Sequence, residues 1–159
     1  MLRISKLTDY GTLILVHLAS HKEDKPCPAS ELAAGTGLAL PTVQKVLKKL
    51  ARGKLVISAR GPDGGYRLAR QPDEINAAEM LDVLEGPLAI TECSHDDSNC
   101  ELESNCQVGG AWQKISRAIR AAMTEIRLSD LRDPPAEFPL SYTILSESGH
   151  AGRLSKQPE

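Results

Sequence analysis

Between Pro41 and Arg52 the chain reads PTVQKVLKKLAR, and this stretch narrows the choice of fold more than any other. Val43, Val46, Leu47 and Leu50 fall at i, i+3, i+4 and i+7, so an α-helix gathers them into one apolar stripe that has to be buried. Proline is tolerated in the first turn, where its missing N–H has no intrahelical partner. The opposite face carries Thr42, Gln44, Lys45, Lys48, Lys49 and Arg52. Upstream, Ser30 is placed to cap a short helix, SELAAG, that stops at Gly35 or Gly37. Further upstream, Leu7, Tyr10, Ile14 and Leu18 recur at helical spacing between Ser5 and Ser20, with Ser5 or Thr8 at the cap. KEDKPCP, residues 22–28, reads as the loop between these two helices. Two short helices across a glycine-containing turn, the second amphipathic and basic outside, form a helix-turn-helix pattern.

The next segment extends the pattern. LVISAR (55–60) is β-prone, GPDGG (61–65) is a turn and YRLAR (66–70) returns as a second strand. A helix-turn-helix followed by a hairpin that carries Arg60, Arg67 and Arg70 reads as a winged helix. Residues 74–85 predict another helix, with Ile75, Ala78, Leu81 and Leu84 on one side and Gly86-Pro87 as its stop. From Trp112 a longer helix is predicted to about Leu131. Its Trp112, Ile115, Ile119, Ala122 and Ile126 alternate by three and four, a heptad seam of about two repeats. Such a seam suits a partner helix, most simply that of a second copy; the alternative is packing on its own domain. The fold class is therefore mainly α with a small β-hairpin wing. A winged helix-turn-helix domain covers 1–86, a cysteine-containing loop 87–111, a dimerisation helix 112–132 and a Pro/Gly/Ser-rich tail 133–159.

Charge separates the same parts. Residues 1–72 hold twelve Lys and Arg against five Asp and Glu, a net +7, while the remainder holds seven against sixteen, a net −9. A basic half beside an acidic half points to a polyanion-binding module joined to something else. On double-stranded DNA, Lys45, Lys48, Lys49, Arg52, Arg60 and Arg67 neutralise phosphates, which gives affinity without sequence information. Thr42 and Gln44, near the start of the second helix of the pair, are the candidate base readers, and Gln pairs bidentately with adenine. Ser30, at the start of the first helix, completes the candidate contacts. A dimer of such modules meets two half-sites about one DNA turn apart, hence a near-palindromic operator. No apolar run approaches the roughly 20 residues of a membrane span. The charged, polar start lacks a signal-type pattern, so the expected location is cytoplasmic, with reduced thiols. No phosphate-binding glycine loop, nucleophile elbow or HExxH is present, and the chain is not expected to be an enzyme.

Residues 93–106, CSHDDSNCELESNC, pose a separate question, because they hold three of the four cysteines without any apolar periodicity. Cys93, Cys100 and Cys106 are spaced C-x6-C-x5-C, which matches neither the usual zinc knuckle nor ferredoxin runs. Spacing alone says soft-metal site or thiol switch. Three thiolates leave a fourth ligand to be found among Cys27, His95, an acid of the loop or a group from elsewhere. Glu92, Asp96, Asp97, Glu101 and Glu103 crowd the thiolates with negative charge, which a cation or cationic cluster would offset.

The start LRISKLTDYG, the wing RGPDGGYRLAR and a three-cysteine loop followed by a helix opening near Trp112 together resemble the Rrf2 family of bacterial winged-helix regulators over residues 1–132. The start looks most like the branch that regulates the SUF iron–sulfur assembly operon. The resemblance implies a repressor whose Cys93, Cys100 and Cys106 bind an iron–sulfur cluster, 2Fe–2S or 4Fe–4S. In the family's biogenesis regulators the fourth ligand is a histidine three residues after the last cysteine, where this chain has Gly109. In its nitric-oxide sensors it is an aspartate of the first helix, given by the other subunit; Asp9 matches, with His95 as runner-up and the helix dipole as Asp9's other explanation. The first cysteine gap is one residue longer than in both groups. The implied function is control of iron–sulfur assembly genes. The alternatives are a nitric-oxide or redox sensor of the same family, a zinc or thiol-switch regulator, and an iron–sulfur carrier without specific DNA binding.

Overall fold

The structure is a computed structural model that describes residues 5–21, 25–61, 64–87 and 108–133. Helix α1, Lys6–Ser20, starts at the expected cap: the Ser5 hydroxyl accepts from the Leu7 N–H at 3.2 Å. Helix α2, Ala29–Thr36, does not start at Ser30. Pro28 is its N-cap and Ser30 lies inside the first turn, making no capping bond. Pro28 needs no N–H partner, and its carbonyl receives the Leu32 N–H at 3.1 Å. The turn falls at the second of the two predicted glycines, Gly37, whose φ of +71° is a conformation other residues resist. Helix α3, Leu40–Arg52, follows with proline in its first turn, and Val43, Val46, Leu47 and Leu50 are all 0% exposed.

Strands β1, Val56–Ala59, and β2, Gly65–Leu68, form an antiparallel hairpin with Val56 opposite Leu68 and Ala59 opposite Gly65. One residue from the loop before α2 joins it. Cys27 and Tyr66 exchange backbone hydrogen bonds, 2.8 Å in each direction. Only glycine suits position 65, because a Cβ there would lie 2.5 Å from the Cys27 carbonyl oxygen. A short 3-10 turn, Pro72–Glu74, leads to helix α4, Ala77–Leu84, capped by the Asn76 side chain on the Glu79 N–H at 2.9 Å.

The long helix predicted from Trp112 to Leu131 is two helices. Helix α5 runs Gly109–Glu125 and helix α6 Leu128–Arg132. Between them Ile126 is extended, and Arg127 bridges to Asn76. The Ala77 N–H donates to the Ile126 carbonyl and the Leu128 N–H to the Ile75 carbonyl, each at 2.9 Å. The Asp130 carboxylate then accepts the Arg127 N–H at 2.7 Å and opens α6. Backbone pairing with a segment about fifty residues earlier thus overrides helical periodicity, and Ile126 belongs to this link rather than to a helical seam. The break turns Leu128 into the core, at 0% exposure, alongside Ile14, Leu15, Leu32, Leu55, Ile75 and Leu84. The core is aliphatic, as expected of a chain with one Trp and one Phe. Helix α5 lies on α4, held by a two-pronged pair between Arg120 and Asp82 at 2.8 and 2.5 Å.

Candidate nucleic-acid interface

Burying the apolar stripe of α3 aims its other face outward. Gln44, Lys45, Lys48, Lys49 and Arg52 are exposed and Thr42 is half-buried. These cations are not equivalent. The Lys49 ammonium donates to the Leu84 carbonyl at 2.6 Å, at the C-terminal end of α4, where helix carbonyls lack partners and positive charge is favoured. Its charge is turned toward α4. Lys45, Lys48 and Arg52 make no hydrogen bond or ion pair among the described residues, and neither does Gln44. The wing divides in the same way. Arg60 and Arg67 are exposed and unpaired among the described residues, while Arg70 pairs with the Glu79 carboxylate and reaches the Glu74 carbonyl at 3.4 Å. Ser30 is exposed at the start of α2. The helix and the wing thus present Lys45, Lys48, Arg52, Arg60 and Arg67 without a partner among the described residues, an arrangement suited to a phosphate backbone.

Asp9 is exposed in the first turn of α1, with no hydrogen bond or ion pair among the described residues. Cys93, Cys100, Cys106 and His95 lie outside the described residues. The ends of α4 and α5 that flank their segment are described, and α4's end is a junction that the sequence did not reveal. Glu85, just past α4, accepts hydrogen bonds from the Ser5 N–H at 3.3 Å and from the Ser5 and Thr8 hydroxyls. The Ser5 and Thr8 hydroxyls, joined by the Ser5 N–H and the nearby Lys49 charge, hold its carboxyl below the usual glutamate range. The partners are 77 and 80 residues apart, so no local pattern announces them. The last turn of α4 therefore holds α3 through Lys49, α1 through Glu85 and α5 through Asp82.

On α5, Trp112 and Ile115 are 39% and 42% exposed, Val108 just before the helix is 57% exposed and Ala122 is exposed. Ile119 is half-buried, and Ser116, on the side toward α4, is buried. Among the described residues an apolar strip of α5 is thus left largely uncovered. The fourth cysteine, Cys27, is wholly buried beneath the wing, and burial, followed by the nearby Glu31 carboxylate, pushes its thiol up to about 11. Among the described residues no helix is long and apolar enough to cross a membrane.

Comparison with known proteins places this geometry among regulators. The profile of the Rrf2 family, described as iron-dependent transcriptional regulators, matches residues 4–134. The HTH-type transcriptional regulator IscR of Aliivibrio salmonicida is 29% identical over 122 residues, covering 77% of this chain and 72% of that protein. Among solved structures, CymR, the global cysteine regulator of B. subtilis, superposes with a TM-score of 0.65 at 30% identity, covering 84% of this chain and 98% of that one. T. potens IscR superposes with a TM-score of 0.62 at 27% identity, covering 86% and 94%.

Proposed function

Because the chain belongs to the Rrf2 family and is thus a DNA-binding transcriptional regulator, not an enzyme, we propose that an iron–sulfur cluster held by Cys93, Cys100 and Cys106 sets its affinity for a near-palindromic operator. The observation that carries this reading is three cysteines confined to one acidic segment between α4 and α5 of a regulator whose α3 and wing cations Lys45, Lys48, Arg52, Arg60 and Arg67 lack partners among the described residues. The donor set fits such a group: thiolates are its usual ligands, and Asp9 is an exposed carboxylate with no partner among the described residues, available as the fourth, with His95 as the alternative. When bound, the cluster supplies a redox-active centre responsive to oxidants, nitric oxide or iron supply. SUF assembly genes are the proposed targets, and repression the proposed effect.

The chain's own residues supply the route to DNA. Glu85 and Lys49 tie the entrance of the cysteine segment to α1 and to the reading helix. A change at that entrance shifts the balance between arrangements of α3 and the wing, and only such differential binding alters operator affinity. A coupling of about 1–3 kcal/mol changes affinity roughly five- to 150-fold. Gln44 and Thr42 read bases while Lys45, Lys48, Arg52, Arg60 and Arg67 hold phosphates. The strip of α5 formed by exposed Trp112, Ile115 and Ala122 with half-buried Ile119 supports a homodimer that spaces two readers.

The test is an anaerobic purification followed by absorption spectrum, iron and sulfide content, and operator binding of cluster-loaded and cluster-free protein. Visible absorption with a difference in affinity supports the proposal; equal affinities refute it. A second reading, a thiol-responsive regulator, is favoured by the likeness to CymR. It predicts colourless protein whose operator affinity changes with oxidant and recovers with reductant.

A further inference from the structure

The remaining cysteine sits in an environment of its own. Cys27 is 0% exposed, and both its N–H and its carbonyl are hydrogen-bonded to Tyr66. His21 stands at the end of α1 and Glu31 in the first turn of α2. A ring nitrogen, the Cys27 sulfur and a carboxylate oxygen all lie within 4.8 Å of one another. His21 Nδ1 and Glu31 Oε1 are 3.7 Å apart, and the sulfur's contact with the Pro28 carbonyl, at 3.8 Å, is weak.

We infer that His21, Cys27 and Glu31 form a site for one divalent cation of the zinc class, separate from the cysteine segment. Bonds of about 2.3 Å to sulfur and 2.0–2.2 Å to nitrogen and oxygen in a tetrahedral site space the donors roughly 3.3–3.7 Å apart. The histidine–carboxylate separation already meets that spacing. The sulfur lies within 4.8 Å of both, and the closure a bound ion needs, at most on the order of 1 Å, is available to the two partly exposed side chains, His21 at 26% and Glu31 at 53%. One nitrogen, one sulfur and one oxygen donor suit a borderline cation; magnesium and calcium take oxygen alone. The thiol forms the floor, while His21 and Glu31 form the rim. A groove of about 510 Å³, between the end of α1 and β2, is lined in part by His21, and three protein ligands leave a fourth position for water. A bound ion joins the end of α1, the residue bridged to the wing, and the start of α2. It thereby braces the helix-turn-helix against its hairpin. Cation binding does not depend on the cluster reading.

The test uses the full-length protein with Cys93, Cys100 and Cys106 replaced by serine, titrated anaerobically with cobalt(II) as a coloured substitute for zinc. One equivalent should bind, giving a thiolate-to-cobalt charge-transfer band that zinc abolishes, and zinc should raise the Tm. Adding Cys27→Ser should remove the band. His21→Ala or Glu31→Gln should weaken binding by about tenfold or more, since a direct ligand costs no less than the groups that merely orient one. A folded triple-serine protein that binds no cobalt, or a band that survives Cys27→Ser, overturns the site. Should the triple variant lack a cooperative melt, zinc content of the parent protein decides. One equivalent lost on Cys27→Ser, with iron unchanged, supports the site; equal zinc in both proteins overturns it.

Discussion

Lys48 and Lys49 are adjacent on the polar face of α3, yet they should fail in opposite ways when changed. Lys49→Met keeps the aliphatic stem and removes the ammonium that donates to the Leu84 carbonyl at 2.6 Å. A hydrogen bond from a charged donor contributes about 1.5–3 kcal/mol, and a cation at a helix C-terminus adds a few tenths to about 1 kcal/mol. The charge terms are screened because Lys49 is exposed, while the freed carbonyl belongs to Leu84, which is 0% exposed. A net loss of about 1–1.5 kcal/mol follows, or roughly 3–7 °C in Tm for a domain of this size. Lys48→Met removes a cation with no partner among the described residues and should change stability by less than about 0.5 kcal/mol. On DNA the order reverses. Losing one phosphate contact lowers the slope of log affinity against log salt by about 0.9, and Lys48→Met should show that decrement with specific and random duplexes alike. Thermal melts followed by circular dichroism, with fluorescence anisotropy of a labelled operator across a salt series, measure both quantities. If Lys49→Met melts like the parent and loses salt dependence as Lys48→Met does, the anchoring role assigned to Lys49 is wrong.

Leu128→Ala, at a fully buried position, should cost about 2–5 kcal/mol, whereas Trp112→Ala on the exposed strip should leave the monomer's fold intact and shift sedimentation toward the monomer. Glu85 is held below the usual glutamate range when folded, so its contribution is complete above the ordinary glutamate value and disappears as acid titrates the folded carboxyl. Glu85→Gln should therefore destabilise at neutral pH and converge with the parent in acid denaturation; a constant gap down to pH 2 would contradict this. Asp9→Ala, purified without air, should alter the visible spectrum, and an unchanged spectrum removes Asp9 as a ligand.

What could be read from the chain depended on how local the deciding interaction was. The four apolar residues of α3 carry their own period, and all four are fully buried. The hairpin was legible because GPDGG leaves few alternatives to a turn. The break at Ile126 was not, since Ile126 and Leu131 continue an apolar rhythm and the deciding partners, Ile75 and Asn76, lie far off in sequence. Ser30 is a favoured capping type, yet Pro28 begins the helix because its fixed φ already suits an entry. The two lysines differ only in what α4 brings beside them, and the sequence around each is nearly the same. The meeting of His21, Cys27 and Glu31 depends on a bridge from Cys27 to a strand thirty-nine positions later.

The interruption after Glu125 also determines how α5 can move. One end of this 17-residue helix is stitched to Ile75 and Asn76, while the other follows the cysteine segment in sequence. At 1.5 Å per residue the helix is a lever of about 25 Å, pivoted at its foot. The Arg120–Asp82 pair holds it to α4 close to that foot, so a push at the Gly109 end bears on α4 as well as on the pivot. The pivot adjoins the turn that leads from the wing into α4, so rotation there is delivered close to the hairpin.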